Sequence, residues 1–295
     1  MSAGESVAGD VVHVVADRFG GFAGNADVIT LGALRRALAS AEFAESRGRV
    51  PAVLAPGQGI DARQWAELTA QVRRRGLPQG PHLTSGPAEP ADPAEVLKLR
   101  RPNVLLSEVR EDGPLRYAAD LVVTDGTEMI LDHTAERQHL PGLLLMEACC
   151  QMIIAVTRRF LVGHGHEHYA VMQHFDIDFR RFVFPLSAEL VLSIDAYGDE
   201  SAGHDGRGAR HDSRGTGHDG RDTGHDGRDA GADCDRMPFE VTIDIVQGAK
   251  TCARAHWRYR AFRPATVFAA EARQAAAALT AATSHTLSHV SEVMP

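Results

Sequence analysis

The chain has 295 residues, 44% hydrophobic and 24% charged, which is enough to build one or two globular domains with real cores. Its formal net charge of −8 argues against a general nucleic-acid or membrane-surface binder, because both classes need clustered basic charge. The four cysteines lack CxxC spacing, which favours reduced thiols over a disulfide framework or a zinc site. No signal-peptide pattern opens the chain, and charged residues interrupt its longest apolar run, so we expect a cytoplasmic protein.

The first 80 residues alternate strand-like and helix-like segments and predict a small βαβα unit. The segments are VVHVVADRF, LGALRRALASAEFA, PAVLAP and DARQWAELTAQVRRRG, the last with Asp61 as predicted N-cap. A GQGI turn at residues 57–60 stands where backbone N–H groups can bind a phosphate. It lacks the full glycine fingerprint, so an ordinary tight turn is favoured. Residues 81–96, rich in proline, are predicted to be a linker.

Residues 97–265 predict a domain of the α+β class. Three strands are predicted first, then a long apolar helix from Gly142, then four more strands: VLLSEV, LRYAADLVV and EMIL before the helix, and YAVMQHFDIDFRRFVFP, AELVLSIDAY, FEVTIDIVQ and TCARAHWRYRAF after it. One long buried helix combined with antiparallel strands suggests a sheet that wraps around the helix.

Two segments look unlike a packed domain. Residues 200–235 contain an insertion with the tandem heptads GHDGRGA, RHDSRGT, GHDGRDT and GHDGRDA, which have no large apolar residue and therefore predict disorder. The regularly spaced histidines in these heptads could collect a divalent metal, but only weakly without a scaffold. The Ala-rich tail, residues 266–295, is predicted to fray or to be disordered.

The predicted helix carries two polar residues in an otherwise apolar run that we expect to be buried all round. Glu147 and Gln151 are four residues apart and therefore share one helix face. A buried carboxylate must be hydrogen-bonded, paired or neutral, and each condition makes Glu147 a candidate for acid–base chemistry. A purely structural role for the pair is equally compatible with the pattern.

The residues before the helix favour the chemical interpretation. Pro141 and Gly142 stand at its first turn, where unpaired N–H groups carry a positive partial charge and can polarise a carbonyl. His133 lies in the loop that enters this turn. A histidine, a carboxylate and free backbone donors suit a substrate with a polarisable carbonyl, such as an acyl thioester.

The stretch DHTAERQHLPGLLLMEACCQ resembles the signature of the hotdog-fold β-hydroxyacyl-carrier-protein dehydratases, although Thr134 and Ala135 replace the Phe and Pro of that signature. It is more similar to the A-factor biosynthesis hotdog family, which makes γ-butyrolactone signalling precursors. The residues that carry this closer resemblance are Asp132, His133, His139, Pro141, Gly142, Glu147, Ala148 and Gln151, together with NVLLS at residues 103–107.

This resemblance implies a hotdog fold and, because only one hotdog repeat is recognisable, a homodimer. It also implies transfer of a β-ketoacyl group from a thioester of acyl carrier protein or coenzyme A to dihydroxyacetone phosphate, with no cofactor or metal. Catalysis would fall to Glu147, His133, Gln151 and the N–H groups near Gly142, and substrate binding to Asp132, His139, Arg180 and Arg181. Two alternatives remain open: a β-hydroxyacyl-thioester dehydratase or hydratase, and a non-catalytic acyl-ligand binding protein.

Overall fold

A computed structural model describes residues 11–40, 53–75, 81–131, 138–162, 168–197 and 237–293, and from residue 284 onward it describes the backbone alone. The histidine-containing repeat, Asp132 and His133 lie outside these ranges. No helix within the described ranges is long and apolar enough to cross a membrane.

The N-terminal unit is a parallel sheet with two helices. Its strand order is β2-β1-β3-β4, and its elements are β1 (Val11–Val15), β2 (Val28–Thr30), α1 (Leu31–Ala39), β3 (Val53–Pro56), α2 (Ala62–Arg74) and β4 (His82–Leu83). The predicted βαβα order is confirmed, with β2 and β4 as additional strands. Since β4 pairs with β3, the sheet extends into the segment predicted as linker.

Local signals explain where α2 begins. The side chain of Asp61 accepts a hydrogen bond from the N–H of Gln64, and the Gln64 side chain accepts one from the N–H of Asp61. This reciprocal capping box satisfies two N–H groups that the first turn leaves unpaired. Trp65, Leu68 and Val72 then face the sheet at helical spacing and are buried.

The second unit is a six-stranded antiparallel sheet with the order β5-β6-β8-β9-β10-β7. Its strands are β5 (Arg110–Gly113), β6 (Arg116–Asp120), β7 (Tyr169–Phe179), β8 (Glu189–Tyr197), β9 (Met237–Gln247) and β10 (Lys250–Phe262). Alternate residues of β9 and β10, such as Val241, Ile243 and Trp257, are buried on one face, as a half-buried strand requires. This face packs on helix α4 (Gly142–Val156) in one core. The predicted α+β hotdog architecture is confirmed.

Helix α4 is not buried all round, contrary to the prediction. Leu143 is 65% exposed, and Met146, Glu147, Cys150 and Ile154 are half-buried, at spacings that form a single stripe. Leu144, Ala148 and Met152, on the opposite side, are fully buried. The sheet therefore covers most of the helix and leaves one stripe accessible.

Three local predictions are wrong. EMIL is a short helix, α3 (Glu128–Leu131), because the N–H groups of Ile130 and Leu131 bond to the carbonyl of Thr127. VLLSEV contributes only a single bridge, from Leu106 to Leu121. The tail forms a long helix, α5 (Pro264–Val293), which agrees with the high helix propensity of alanine.

The side chain of Gln58, in the GQGI turn, joins the two units. Its amide nitrogen donates to the carbonyls of Leu121 and Leu186, and its amide oxygen accepts from the N–H of Val123. Nearby, Phe22 of the N-terminal unit stacks on Phe184 with ring centroids 5.3 Å apart. The two units therefore share part of one core.

We predict that Gln58→Ala lowers the free energy of unfolding by about 3 kcal/mol, because it leaves buried carbonyls and an N–H group without their partner. Urea denaturation followed by circular dichroism measures this loss. Gln274→Ala, on the exposed face of α5, serves as the control and should change stability by less than about 0.5 kcal/mol. Equal stability of the two variants would contradict the conclusion that the hydrogen bonds of Gln58 hold the two units together.

Candidate functional site

The site lies along one face of α4, which shares Leu143 and Glu147 with the accessible stripe and continues to the buried Gln151. Leu143, Glu147 and Gln151 follow one another at intervals of four residues, so they lie on one helix face. Leu143 is exposed, the Glu147 side chain is 29% exposed, and Gln151 is fully buried. This face therefore runs from solvent into the core, with the carboxylate between the two.

Gln151 is a fully bonded polar residue inside the core. Its amide oxygen accepts from the N–H of Leu105 at 2.8 Å, and its amide nitrogen donates to the carbonyl of Asn103 at 2.9 Å and to Oε1 of Glu147 at 2.9 Å. A buried amide needs partners of this kind, because an unpaired one costs about 1–3 kcal/mol. Gln151 thus ties residues 103–105 to the helix and orients the carboxylate at the same time.

Glu147 is held by a second donor that the sequence analysis did not identify. The ammonium of Lys98 lies 2.6 Å from the same Oε1 atom, and both side chains are about one-third exposed. An ammonium at this distance stabilises the negative charge of the carboxylate. Within the described ranges no hydrogen bond or ion pair reaches the other carboxylate oxygen, Oε2.

The N-terminal end of α4 offers backbone N–H groups as donors. Pro141 is the N-cap and offers no side-chain hydrogen bond, and its carbonyl accepts from the N–H groups of Leu144 and Leu145. Within the described ranges the N–H groups of Gly142 and Leu143 have no such partner and keep their donor capacity. The ring of Phe179 packs directly against Gly142, where an added Cβ would lie 3.1 Å from the ring. Glycine at this position allows β7 and the helix start to approach closely.

Of the other predicted site residues, His139, Arg180 and Arg181 lie within the described ranges and Asp132 and His133 do not. His139 packs against Phe182 just before the helix start, with ring centroids 4.4 Å apart and the ring planes tilted by 33°. Arg180 pairs with Asp178 at 2.7 Å, and the N–H groups of Arg180 and Arg181 both bond to the carbonyl of Cys252. No described contact joins these three residues to Glu147. Asp132 and His133 fall in residues 132–137, outside the described ranges.

The two adjacent cysteines of α4 are poor nucleophiles. Burial raises the pKa of the Cys149 thiol well above its usual range. Burial and the Glu147 carboxylate together raise the pKa of Cys150 to about 11, although Lys98 opposes this shift. Since the thiolate is the reactive form, neither thiol is set up to take an acyl group.

A cavity of about 930 Å³ lies at the seam between the two units. It is lined by the GQGI turn, by the start of α2 and by loops of the hotdog sheet, and Glu147 is not among its lining residues. Three N–H groups of the turn bond to protein carbonyls: Gly57 to Val14, Gln58 to Pro185 and Gly59 to Val123. The turn therefore has a docking role, which agrees with its interpretation as an ordinary turn and not as a phosphate site.

No group of three or more metal-binding side chains occurs in the part of the chain that the structure describes. The histidines of the repeat fall outside that part.

Sequence reasoning missed Lys98 and the carbonyl of Asn103 as members of the site. One signal was present: Lys98 is one of only two lysines in a chain with 31 basic residues. The Asn103 carbonyl is a backbone group, and no side-chain pattern marks it.

Residues 81–214 match the family model described as the A-factor biosynthesis hotdog domain. The match includes Lys98, Asn103, Glu147 and Gln151. No curated protein matches the chain.

Solved structures resemble the chain only distantly. A conserved protein from Pseudomonas aeruginosa is 14% identical, with 58% of this chain and 100% of that chain covered and a TM-score of 0.34. The dehydratase domain of the CurJ module of curacin polyketide synthase is 14% identical, covering 60% and 51%, with a TM-score of 0.36. Zebra fish thioesterase superfamily member 2 is 10% identical, covering 57% and 91%, with a TM-score of 0.33. Likenesses this weak support no statement about reaction or substrate.

At pH 8 we predict that iodoacetamide alkylates Cys150 on the order of 100-fold more slowly than free glutathione, because a pKa of about 11 leaves little thiolate. The rate should rise as the pH approaches 11, and Cys149 should react still more slowly. Peptide mass spectrometry after timed quenching resolves the two sites. Labelling of Cys150 as fast as glutathione at pH 8 would contradict the burial argument.

Proposed function

Because the chain carries an A-factor biosynthesis hotdog domain, we propose that it is an acyltransferase. It moves a β-ketoacyl group from a thioester of acyl carrier protein or coenzyme A to the hydroxyl of dihydroxyacetone phosphate, in the cytoplasm. The observation that carries this proposal is the half-buried Glu147, whose Oε1 is held by Lys98 and Gln151 while no bond within the described ranges reaches Oε2.

The reaction needs a base and a site for a developing oxyanion. The acceptor hydroxyl oxygen attacks the thioester carbonyl carbon, and Oε2 of Glu147 takes the hydroxyl proton. The first-turn N–H groups near Gly142 and Leu143 stabilise the negative charge on the carbonyl oxygen. The carbon–sulfur bond then breaks, the ester forms, and the leaving thiolate takes the proton from Glu147, which restores the carboxylate.

The remaining predicted residues have supporting roles in this proposal. His133 and Asp132 would complete the site from the loop before α4, with His133 sharing proton transfer with Glu147. Arg180, Arg181 and His139 would bind the phosphate of the acceptor. Arginine suits phosphate because its planar fork of donors matches the phosphate oxygens.

We further propose that the protein is a homodimer joined along β7. This strand is at the edge of the sheet and exposes Val171 (39%), Phe175 (45%) and Phe179 (48%). An unpaired edge strand with apolar side chains favours pairing with another strand. The opposite edge, β5, is short and carries the polar sequence REDG, which disfavours such pairing.

We predict that a β-ketoacyl-coenzyme A thioester releases thiol only when dihydroxyacetone phosphate is present, and that Glu147→Gln lowers this rate by about 100-fold or more. A thiol-reactive dye measures the release. Glu240→Gln, on an exposed position of β9, is the matched control and should retain full activity.

Three other results, from this assay or from a parallel assay with a β-hydroxyacyl thioester, would contradict the proposal of an acyltransferase. Thiol release without the acceptor indicates hydrolysis. Enoyl absorbance from a β-hydroxyacyl thioester, with no transfer, indicates a dehydratase. Binding without any turnover indicates a non-catalytic acyl-ligand protein.

We predict that Val171→Asp weakens dimerisation, because it places a negative charge on the edge of β7. Sedimentation velocity should show a dimer for the unmodified protein and a monomer for the variant. Leu279→Asp, at an exposed position of α5, should leave the dimer intact. A monomeric unmodified protein at micromolar concentration would refute the dimer.

A further inference from the structure

We propose that Lys98 is a positioning residue of the site: its ammonium fixes Oε1 of Glu147 so that Oε2 faces the acceptor hydroxyl. This inference rests on the proposed role of Glu147 as the base. Lys98 does not need to touch the substrate, because it acts through the carboxylate.

The first support is the geometry of the carboxylate. Oε1 accepts from two donors of different kinds, the ammonium of Lys98 at 2.6 Å and the amide of Gln151 at 2.9 Å. Gln151 is rigid, because the carbonyl of Asn103 and the N–H of Leu105 also hold its amide. Two donors on one oxygen fix the rotation of the carboxylate, which a single donor leaves free.

The second support is the backbone that delivers Lys98. Leu97 has a φ of 54°, in the left-handed region that leucine rarely adopts. The turn is fixed on both sides of this residue: Val96 is fully buried, and the N–H of Lys98 donates to the carbonyl of Pro93 at 2.8 Å. A strained conformation persists only where the surroundings determine it, and such positions cluster at functional sites.

The third support is the choice of residue. The chain uses arginine almost everywhere for positive charge, and Lys98 is one of its two lysines. The other, Lys250, is exposed at the start of β10. An ammonium is a compact charge that can approach one carboxylate oxygen, whereas a guanidinium prefers to bind both oxygens together. A lysine at position 98 therefore leaves Oε2 free.

The activity test compares Lys98→Met, Lys98→Arg and the control Lys250→Met in the transferase assay. We expect Lys98→Met to lower kcat by about 10- to 100-fold with the KM for the thioester changed by less than about 2-fold, because orientation and not ground-state binding is lost. Lys98→Arg should recover part of kcat, since it restores the positive charge but contacts both oxygens. Lys250→Met should match the unmodified protein.

A second test uses the full chain and needs no turnover. An amine-acylating reagent, followed by peptide mass spectrometry, compares the two lysines within one molecule. We expect Lys98 to react about 10-fold more slowly than the exposed Lys250, because its side chain is only 30% exposed and its ammonium is in contact with Glu147. Glu147→Gln should accelerate acylation at Lys98 and leave Lys250 unchanged.

The two tests separate this inference from the proposed function. Unchanged kcat in Lys98→Met, in a protein that performs acyl transfer, overturns the positioning role and leaves the transferase standing. Acylation of Lys98 that does not respond to Glu147→Gln overturns the contact itself. Absence of transfer in the unmodified protein, with Lys98 protected by Glu147, refutes the proposed function and the positioning role that depends on it while retaining the contact.

Discussion

The buried side-chain amide of Gln151 is the interaction on which the site depends. It lies in a core of apolar side chains and satisfies all its contacts within the protein, with the N–H of Leu105, the carbonyl of Asn103 and the carboxylate of Glu147. A buried polar network of this kind is stabilising only when every member is bonded. The positions of residues 103–105, of α4 and of Glu147 are therefore set together. Lys98 reaches the same carboxylate from a separate turn, which the hydrogen bond to the Pro93 carbonyl and the buried Val96 hold in place.

A buried side-chain amide with hydrogen bonds to backbone groups also joins the two units. Gln58 is buried, and its amide bonds to two carbonyls and one N–H group of the hotdog unit. Both neighbours of Gln58 must be glycine, for different reasons. A Cβ at position 57 would lie 2.7 Å from the carbonyl oxygen of Pro185, which is too close. Gly59 has a φ of 82°, in the left-handed region that favours glycine. The GQGI turn thus has the composition of a ligand-binding loop, but the N–H groups of Gly57, Gln58 and Gly59 already donate to carbonyls of the protein.

Periodicity predicted most of the secondary structure, and it failed where the pattern was short. The long strands β8 to β10 and the helices α2 and α4 were predicted near their observed positions, because their apolar spacing is sustained over many residues. The four-residue run EMIL fits a strand and a helix equally well, and only the bonds to the Thr127 carbonyl favour the helix. The Ala-rich tail is a helix and not the predicted disordered segment, because alanine has the highest helix propensity of all residues.

By itself, the sequence determined the fold class and the shared face of Glu147 and Gln151, because these depend on the pattern of apolar residues and on spacing along one helix. The tertiary structure decided which side of α4 stays accessible, since that depends on how far the sheet extends around the helix. It also decided that Lys98 pairs with Glu147 and that the backbone of residues 103–105 holds Gln151. These contacts join residues far apart along the chain, and no local periodicity encodes them. They form only when the core packs and a buried polar group must find partners.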